Sequence, residues 1–273
     1  MALYIQTNVA SLDAQQNLSK TQNALQTSFA RLSSGYRINS SADDAAGLGI
    51  SDSMTAQIRS YGVAERNAMD GVSMAQTADG AASQVGGLLG RMRELSVQAA
   101  NGSYTSNDRA NLNTEFTSLR SEIDRIAQST SFNGTSLLNA ATTVAFQVGI
   151  GTAASDTVSV GFGGLTTSSL GVGASAVDTA ANATSAITAI DTAISSVSST
   201  RAKFGAAVNR LQSTVGNIQS MKTNLSAANS RIKDVDVAEE TAAMSRQQVL
   251  SQAGAAVLAQ ANQAPQLALS LLR

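Results

Sequence analysis

Apolar residues recur at alternating steps of three and four along most of the chain, which is the spacing of helices that pack side by side. The longest such seam predicts a single helix on the order of 65 Å long at 1.5 Å per residue. Only Arg201, Lys222 and Asn229 interrupt its apolar positions, which are Ile187, Ile190, Ile194, Val197, Phe204, Val208, Leu211, Val215, Ile218, Leu225 and Ile232.

Three shorter seams precede this helix in the chain. The first contains Leu18, Leu25, Phe29 and Leu32, the second Ala75, Ala78, Ala82, Val85, Leu89 and Met92, and the third Leu112, Phe116, Leu119, Ile123 and Ile126. Between the first two, Ser41 followed by Asp44 predicts a capping box at a helix start. Asn101-Gly102 separates the second seam from the third, and Asn133-Gly134 ends the third.

The C-terminal seam keeps the same spacing but consists largely of small residues. Its members are Ala243, Gln247, Leu250, Gly254, Val257, Ala261, Ala264, Ala268 and Leu271. A stripe of this kind is weakly hydrophobic, so the isolated helix would be marginal in water. We therefore expect its stability to come from assembly with other helices.

The middle of the chain changes period from 3.5 to 2. Val144, Phe146, Val148 and Ile150 alternate with small or polar residues, as do Val158, Val160 and Phe162, which predicts a β-hairpin near residues 140–165. A glycine-rich variable loop follows over 163–180. The predicted fold is mainly α: an elongated helical bundle, or coiled coil, of paired N- and C-terminal arms with this small hairpin in the middle.

Composition excludes several classes of function. The formal net charge is -1, which removes the electrostatic basis of nucleic-acid binding. The chain has no His and no Cys, so the usual metal ligands and nucleophiles are missing. We expect no enzyme, no cofactor and no metal. The N-terminus resembles no cleaved signal peptide, and the uncharged stretch before Arg273 carries too many amides for a membrane span.

Three apparent sites have simpler interpretations. Residues 149–154 resemble a dinucleotide-binding loop, but a strand follows them where a helix would be required, which favours a hairpin turn. Asp43 and Asp44 are better placed as charges at a helix N-terminus than as an acid–base pair. The acidic cluster of Asp234, Asp236, Glu239 and Glu240 resembles a cation site, but its basic neighbours balance the charge, which favours a solvated junction between segments.

Several motifs in both arms resemble bacterial flagellin. In the N-terminal half they are the run Leu32–Ser40, the run Asp43–Gly47 and the run Arg93–Asn101; in the C-terminal half they are Ser230–Ile232, Met244–Arg246, Gln252–Gly254, Leu258–Gln263 and the terminal Leu271–Arg273. They span more than 200 residues in the family's order. The family's large variable outer domains are missing.

The resemblance implies a structural subunit of the extracellular flagellar filament, polymerised with identical copies and used for motility. It implies type III export without a cleaved signal peptide, a cap protein at the filament tip, hook-associated proteins and a cytoplasmic export chaperone. It also implies an inner coiled-coil domain of residues 1–42 and 231–273 around an outer rod domain of residues 43–230. A hook–filament junction protein is the alternative.

The resemblance also assigns residues to roles. The residues expected to mediate self-assembly are Leu18, Leu25, Leu32, Leu250, Gly254, Val257, Ala261, Ala264, Ala268 and Leu271. In flagellins detected by Toll-like receptor 5, the matching contact positions are Arg91, Leu95 and Glu115 here. The alternative is that Leu95 packs inside the bundle and that the two charges are merely solvated.

Overall fold

A computed structural model describes the backbone of residues 7–270 and the side chains of residues 7–263. Within that range the chain is mainly helical, and the predicted fold class is confirmed. The elements are α1 (Val9–Ser34), α2 (Ala45–Ala100), α3 (Ser106–Ser129), β1 (Ser131–Phe132), β2 (Thr135–Ser136), β3 (Thr142–Gln147), β4 (Thr157–Phe162), α4 (Ala180–Lys233) and α5 (Val237–Ser270). None of the helices in the described part is long and apolar enough to cross a membrane.

The chain divides into two compact units. The central unit comprises residues 57–223, and the terminal unit comprises the described residues up to 56 and from 224 onward. Helices α2 and α4 therefore contribute to both units. The domain boundaries expected from the sequence, after residues 42 and 230, stay predictions.

The core of the central unit is built around the alanine-rich seam of α2. Ala75, Ala78, Ala82, Val85, Leu89 and Met92 are all fully buried, as the spacing predicted. On α4 the buried row is Ala183, Ala186, Ile190, Ala193, Val197, Phe204, Leu211, Val215 and Ile218, so three alanines join the predicted apolar seam. Small side chains let helix backbones approach closely, which brings more atoms into van der Waals contact.

The three polar interruptions of the α4 seam have partners on α2. In the central unit, Arg201 Nε lies 2.9 Å from Asp79 Oδ1, and Lys222 Nζ lies 3.3 Å from Glu65 Oε2. In the terminal unit, Asn229 Nδ2 donates to Thr55 Oγ1 at 3.2 Å. A seam position that reaches a polar partner therefore need not be apolar.

The predicted β-hairpin is confirmed. Strands β3 and β4 pair antiparallel, with Val144 opposite Val160 and Phe146 opposite Val158. The ring of Phe146 lies against α2, 3.2 Å from the place where a side chain on Gly71 would begin, and Leu211 Cδ1 lies 3.0 Å from the same place, so a larger residue there would have to displace both side chains by a few tenths of an ångström. On the other strand, Phe162 packs against Phe204 of α4 with ring centroids 5.6 Å apart.

The loop over 163–180 is a fixed part of the central unit. Leu165, Leu170, Val172 and Val177 are buried in it. Thr167 is buried as well, and its backbone N–H and hydroxyl both donate to the Asp124 carboxylate at 2.8 Å. The loop lacks any periodic pattern because each contact depends on a partner distant in sequence.

Two local features differ from the sequence-based expectation. The predicted capping box of Ser41 and Asp44 is wrong. Asp44 is itself the N-cap of α2, because its Oδ1 accepts the N–H of Gly47 at 2.8 Å. Asn133-Gly134 does more than end a helical pattern, because both residues have positive φ, 47° and 79°, and form the turn between β1 and β2.

Glu65 makes stability depend on pH. Hydrogen bonds from Gln219 and Lys222 lower the pKa of this carboxyl below its ordinary 4.5. A lowered pKa in the folded state stabilises the fold above the ordinary value, and this contribution is lost as the pH falls through the lowered value. We expect the thermal midpoint to fall on acidification below 4.5, and Glu65→Gln to weaken that dependence. Asp70→Asn, an exposed change on the same helix, is the control; an unchanged profile in Glu65→Gln would contradict the assignment.

Candidate assembly surface

The first and last helices, α1 and α5, form an antiparallel pair in the terminal unit. At one end, the Asn8 side chain donates to the carbonyl of Ala261 at 2.7 Å, and Ser11 Oγ donates to Asn262 Oδ1 at 2.7 Å. Asn8 Oδ1 also accepts from the N–H of Ser11 at 3.1 Å, so this residue caps α1 while tying it to α5. Near the other end, Arg31 Nη1 lies 3.7 Å from Glu240 Oε2 in an ion pair.

The face of each helix that lies toward its partner is half-buried. On α1 it includes Leu18, Leu25 and Leu32, whose assignment to self-assembly stays a prediction. On α5 it includes Ala243, Met244, Gln247, Ser251, Gly254, Leu258 and Ala261. A side chain on Gly254 would begin 3.3 Å from Leu18 Cδ1, so a larger residue there would have to displace Leu18 by a few tenths of an ångström.

Large apolar side chains outside these contacts are exposed on the same two helices, and we call the surface that they form the outer faces of α1 and α5. Val9, Leu12 and Phe29 on α1, and Val237, Val249, Leu250 and Val257 on α5, are each between 48% and 65% exposed. Two proposed assembly residues, Leu250 and Val257, belong to this exposed set, whereas their neighbours Ser251 and Leu258 are half-buried. Apolar surface of this extent is typical of sites that contact other proteins.

Three further assembly candidates cannot be placed in this way. The side chains of Ala264 and Ala268, and the whole of Leu271, lie outside the described residues.

The acidic residues at the start of α5 are engaged with protein groups. Asp236 Oδ1 accepts from the N–H groups of Ala238 at 2.9 Å and Glu239 at 3.2 Å, which caps the helix. Glu240 pairs with Arg31. The described residues contain no cluster of carboxylates suited to a metal ion. The cap at Asp236 was missed in the sequence, although Asp followed three residues later by Glu is a recognisable helix start.

The receptor candidates divide between the surface and the core. Arg91 Nε donates to Glu115 Oε1 at 2.9 Å, and both side chains are about half exposed, at 50% and 46%. Bonds to Glu94 and Glu115 raise the pKa of Arg91 above its ordinary value. Leu95 is only 1% exposed and belongs to the core of the central unit, which favours the packing interpretation for this residue.

The fold and the large apolar side chains exposed on its first and last helices are typical of a mainly helical protein that contacts other proteins. Family models of the bacterial flagellin N-terminal and C-terminal helical regions match residues 5–143 and 187–272. Flagellin of Halalkalibacterium halodurans is 43% identical over 273 residues, covering 99% of this chain and all of the relative. Flagellin C of Vibrio cholerae is 35% identical over 376 aligned positions, covering all of both chains.

A solved structure agrees with these relatives. The crystal structure of Bacillus cereus flagellin matches with a TM-score of 0.51 and 35% identity, over 60% of this chain and 94% of that one. The chain belongs to the bacterial flagellin family and lacks a large variable domain. It is a structural subunit of the flagellar filament, an extracellular homopolymer, and not an enzyme. Nothing found favours the hook–filament junction alternative.

The crossing of Leu18 and Gly254 can be tested by overpacking. Gly254→Leu places a branched side chain where Leu18 already lies, and overpacking typically costs about 1–3 kcal/mol. We expect filaments of this variant to melt at lower temperature. Adding Leu18→Ala makes room for the new side chain and should restore part of the loss. Additive destabilisation by the two changes would show that these residues do not oppose each other.

Proposed function

We propose that subunits join one another through the outer faces of α1 and α5. The observation that carries this proposal is the set of seven large apolar side chains exposed there. The inner faces would hold the pair together within a subunit, through Leu18, Leu25, Leu32, Gly254 and Ala261. The outer faces, including Leu250 and Val257, would lie against neighbouring subunits.

The proposal extends to the parts that the structure does not describe. In it, residues 1–42 and 231–273 form the inner coiled-coil domain of the filament, and residues 43–230 form the outer rod domain. Ala264, Ala268 and Leu271 would continue the contact surface of α5 toward the C-terminus. The two alanines are small and would permit close packing among many copies.

The apolar outer faces also support a need for protection before assembly. We propose that a cytoplasmic export chaperone covers the α5 arm until the chain leaves the cell through the type III apparatus, without a cleaved signal peptide. The chain has no Cys and a single Pro, so an exported chain would refold without disulfides and with few slow proline isomerisations. A cap protein at the tip and hook-associated proteins complete the proposed set of partners.

The outer-face proposal predicts the effect of polar substitutions on assembly. Val249→Ser and Val257→Ser remove apolar surface that neighbouring subunits would bury, worth about 1.5–3 kcal/mol for a fully buried valine. Each 1.4 kcal/mol changes an association constant about tenfold, so the critical concentration for polymerisation should rise roughly tenfold or more. It is measured as the monomer that remains after seeded polymerisation.

The control is Gln248→Ser, an exposed polar position beside Val249. Because the substituted valines are largely exposed in the single chain, the melting temperature of the monomer should not fall. Residual monomer equal to that of the control would refute the outer-face interface.

A second proposed interaction is recognition by Toll-like receptor 5 through Arg91 and Glu115. Their exposed ion pair offers one cationic and one anionic group side by side on α2 and α3. Leu95, which is buried in the core, would support the backbone beneath the pair.

Removing the pair provides the test. The double variant Arg91→Ala, Glu115→Ala should lower receptor signalling by monomer in receptor-bearing cells, with little change in melting temperature, because exposed ion pairs contribute only about 0–1 kcal/mol. The matched control removes Arg125 and Glu122, an exposed ion pair on α3 with a separation of 2.6 Å. Equal signalling by both double variants would refute the assignment.

A further inference from the structure

The chain contains two Asn-Gly pairs that filament assembly does not explain, Asn101-Gly102 and Asn133-Gly134. Asn-Gly is the dipeptide at which the backbone can attack its own side chain with least steric hindrance, since glycine has no Cβ. The two pairs share this local chemistry but occupy very different surroundings. Their comparison therefore isolates what the fold contributes.

Asn101-Gly102 lies in the exposed connection between α2 and α3. The side-chain oxygen of Asn101 accepts the N–H of Ser103 at 3.2 Å. This donor polarises the amide carbonyl, and it would stabilise the oxyanion that forms if the carbonyl carbon is attacked. Gly102 is exposed, and its own N–H makes no hydrogen bond among the described residues, so the attacking nitrogen is available.

Asn133-Gly134 lacks this arrangement. Asn133 is held at φ 47° and Gly134 at φ 79° in the turn between the paired strands β1 and β2. In the left-handed region the typical ψ is about +47°, and the paired strands on either side hold the backbone there, so it cannot rotate freely to bring the next nitrogen against Cγ of Asn133. The described contacts give the Asn133 side-chain oxygen no donor.

We propose that Asn101 is a site of spontaneous deamidation in the folded protein, and that the turn protects Asn133. The backbone nitrogen of Gly102 loses its proton and bonds to Cγ of Asn101, closing a succinimide ring. The bond between Cγ and the side-chain nitrogen breaks, and ammonia leaves with the proton. Water then opens the ring at either carbonyl, which gives aspartate or isoaspartate. The only co-reactant is water, and no electrons are exchanged.

The product changes the local electrostatics. A carboxylate at position 101 follows the C-terminal end of α2, where negative charge is unfavourable. It also lies close to Arg109, whose guanidinium donates to the carbonyls of Ala99 at 2.7 Å and Asn101 at 2.9 Å. Each converted subunit carries one more negative charge, and an extracellular polymer accumulates such subunits with time.

The test compares native and unfolded protein. Filaments and urea-unfolded chain are incubated at the same mildly alkaline pH, and aspartate and isoaspartate at both positions are measured by peptide mass spectrometry. In the unfolded chain the two sites should convert at similar rates. In filaments, conversion at 101 should exceed conversion at 133 several-fold. Equal conversion at both sites in filaments, faster conversion at 133, or no conversion at 101 would each overturn the proposal.

Gly102→Ala provides the matched variant. A side chain added at Gly102 meets no atom within 4 Å, and its φ is not in the left-handed region, so the fold should be unaffected. The methyl group hinders attack by the following nitrogen, and the signal at 101 should be lost while that at 133 is unchanged. Persistent isoaspartate at 101 in this variant would contradict the proposed route.

Discussion

Close approach between helix backbones is the constraint on which this structure depends. Alanine occupies half of the buried positions in the α2 seam, and large side chains of the central unit pack in the same core, among them Phe116, Phe162 and Phe204. Aromatic residues make up only 4% of the chain, so few side chains are large enough to fill wide gaps between helices. Stability then comes from many short contacts between small side chains and neighbouring helices, because dispersion weakens steeply across a gap.

The same constraint acts in the terminal unit, at the crossing of Leu18 and Gly254. Glycine costs about 0.5–1 kcal/mol relative to alanine inside a helix, so its presence in α5 needs a compensating contact. The leucine packed over it supplies that contact. Polar groups complete the pairing where the apolar surface is thin: Asn8 and Ser11 bond across to α5 near one end, and Arg31 reaches Glu240 near the other.

Helices with a long repeated seam could be predicted from the sequence alone. The α2 and α4 seams can be predicted because a period of 3.5 repeats over many helical turns. The hairpin can be predicted because the period changes to 2. On α5 the period alone does not distinguish the half-buried positions from the exposed ones. Leu250 and Ser251, like Val257 and Leu258, are adjacent, and small residues blur the difference between faces.

Contacts between distant residues were beyond sequence reasoning. The 163–180 segment reads as a glycine-rich loop, yet Thr167 is buried on Asp124, and nothing in either local sequence indicates that they meet. The division of Arg91, Leu95 and Glu115 is a related case. All three lie at plausible positions on two helices, but only the packing of α2 reveals that Leu95 faces the core while the charges remain outside.

The two units differ in how much of their apolar surface a single chain buries. In the central unit the α2 seam is closed within a single chain, and the polar residues on its rim are paired, as Asp79 is with Arg201. In the terminal unit the positions that α1 and α5 turn toward each other are half-buried, and large apolar side chains outside them are exposed. A single chain cannot bury both faces of a two-helix pair, because each helix offers its partner only one stripe. In the proposed interface, these side chains would be buried against other copies of the chain in the filament.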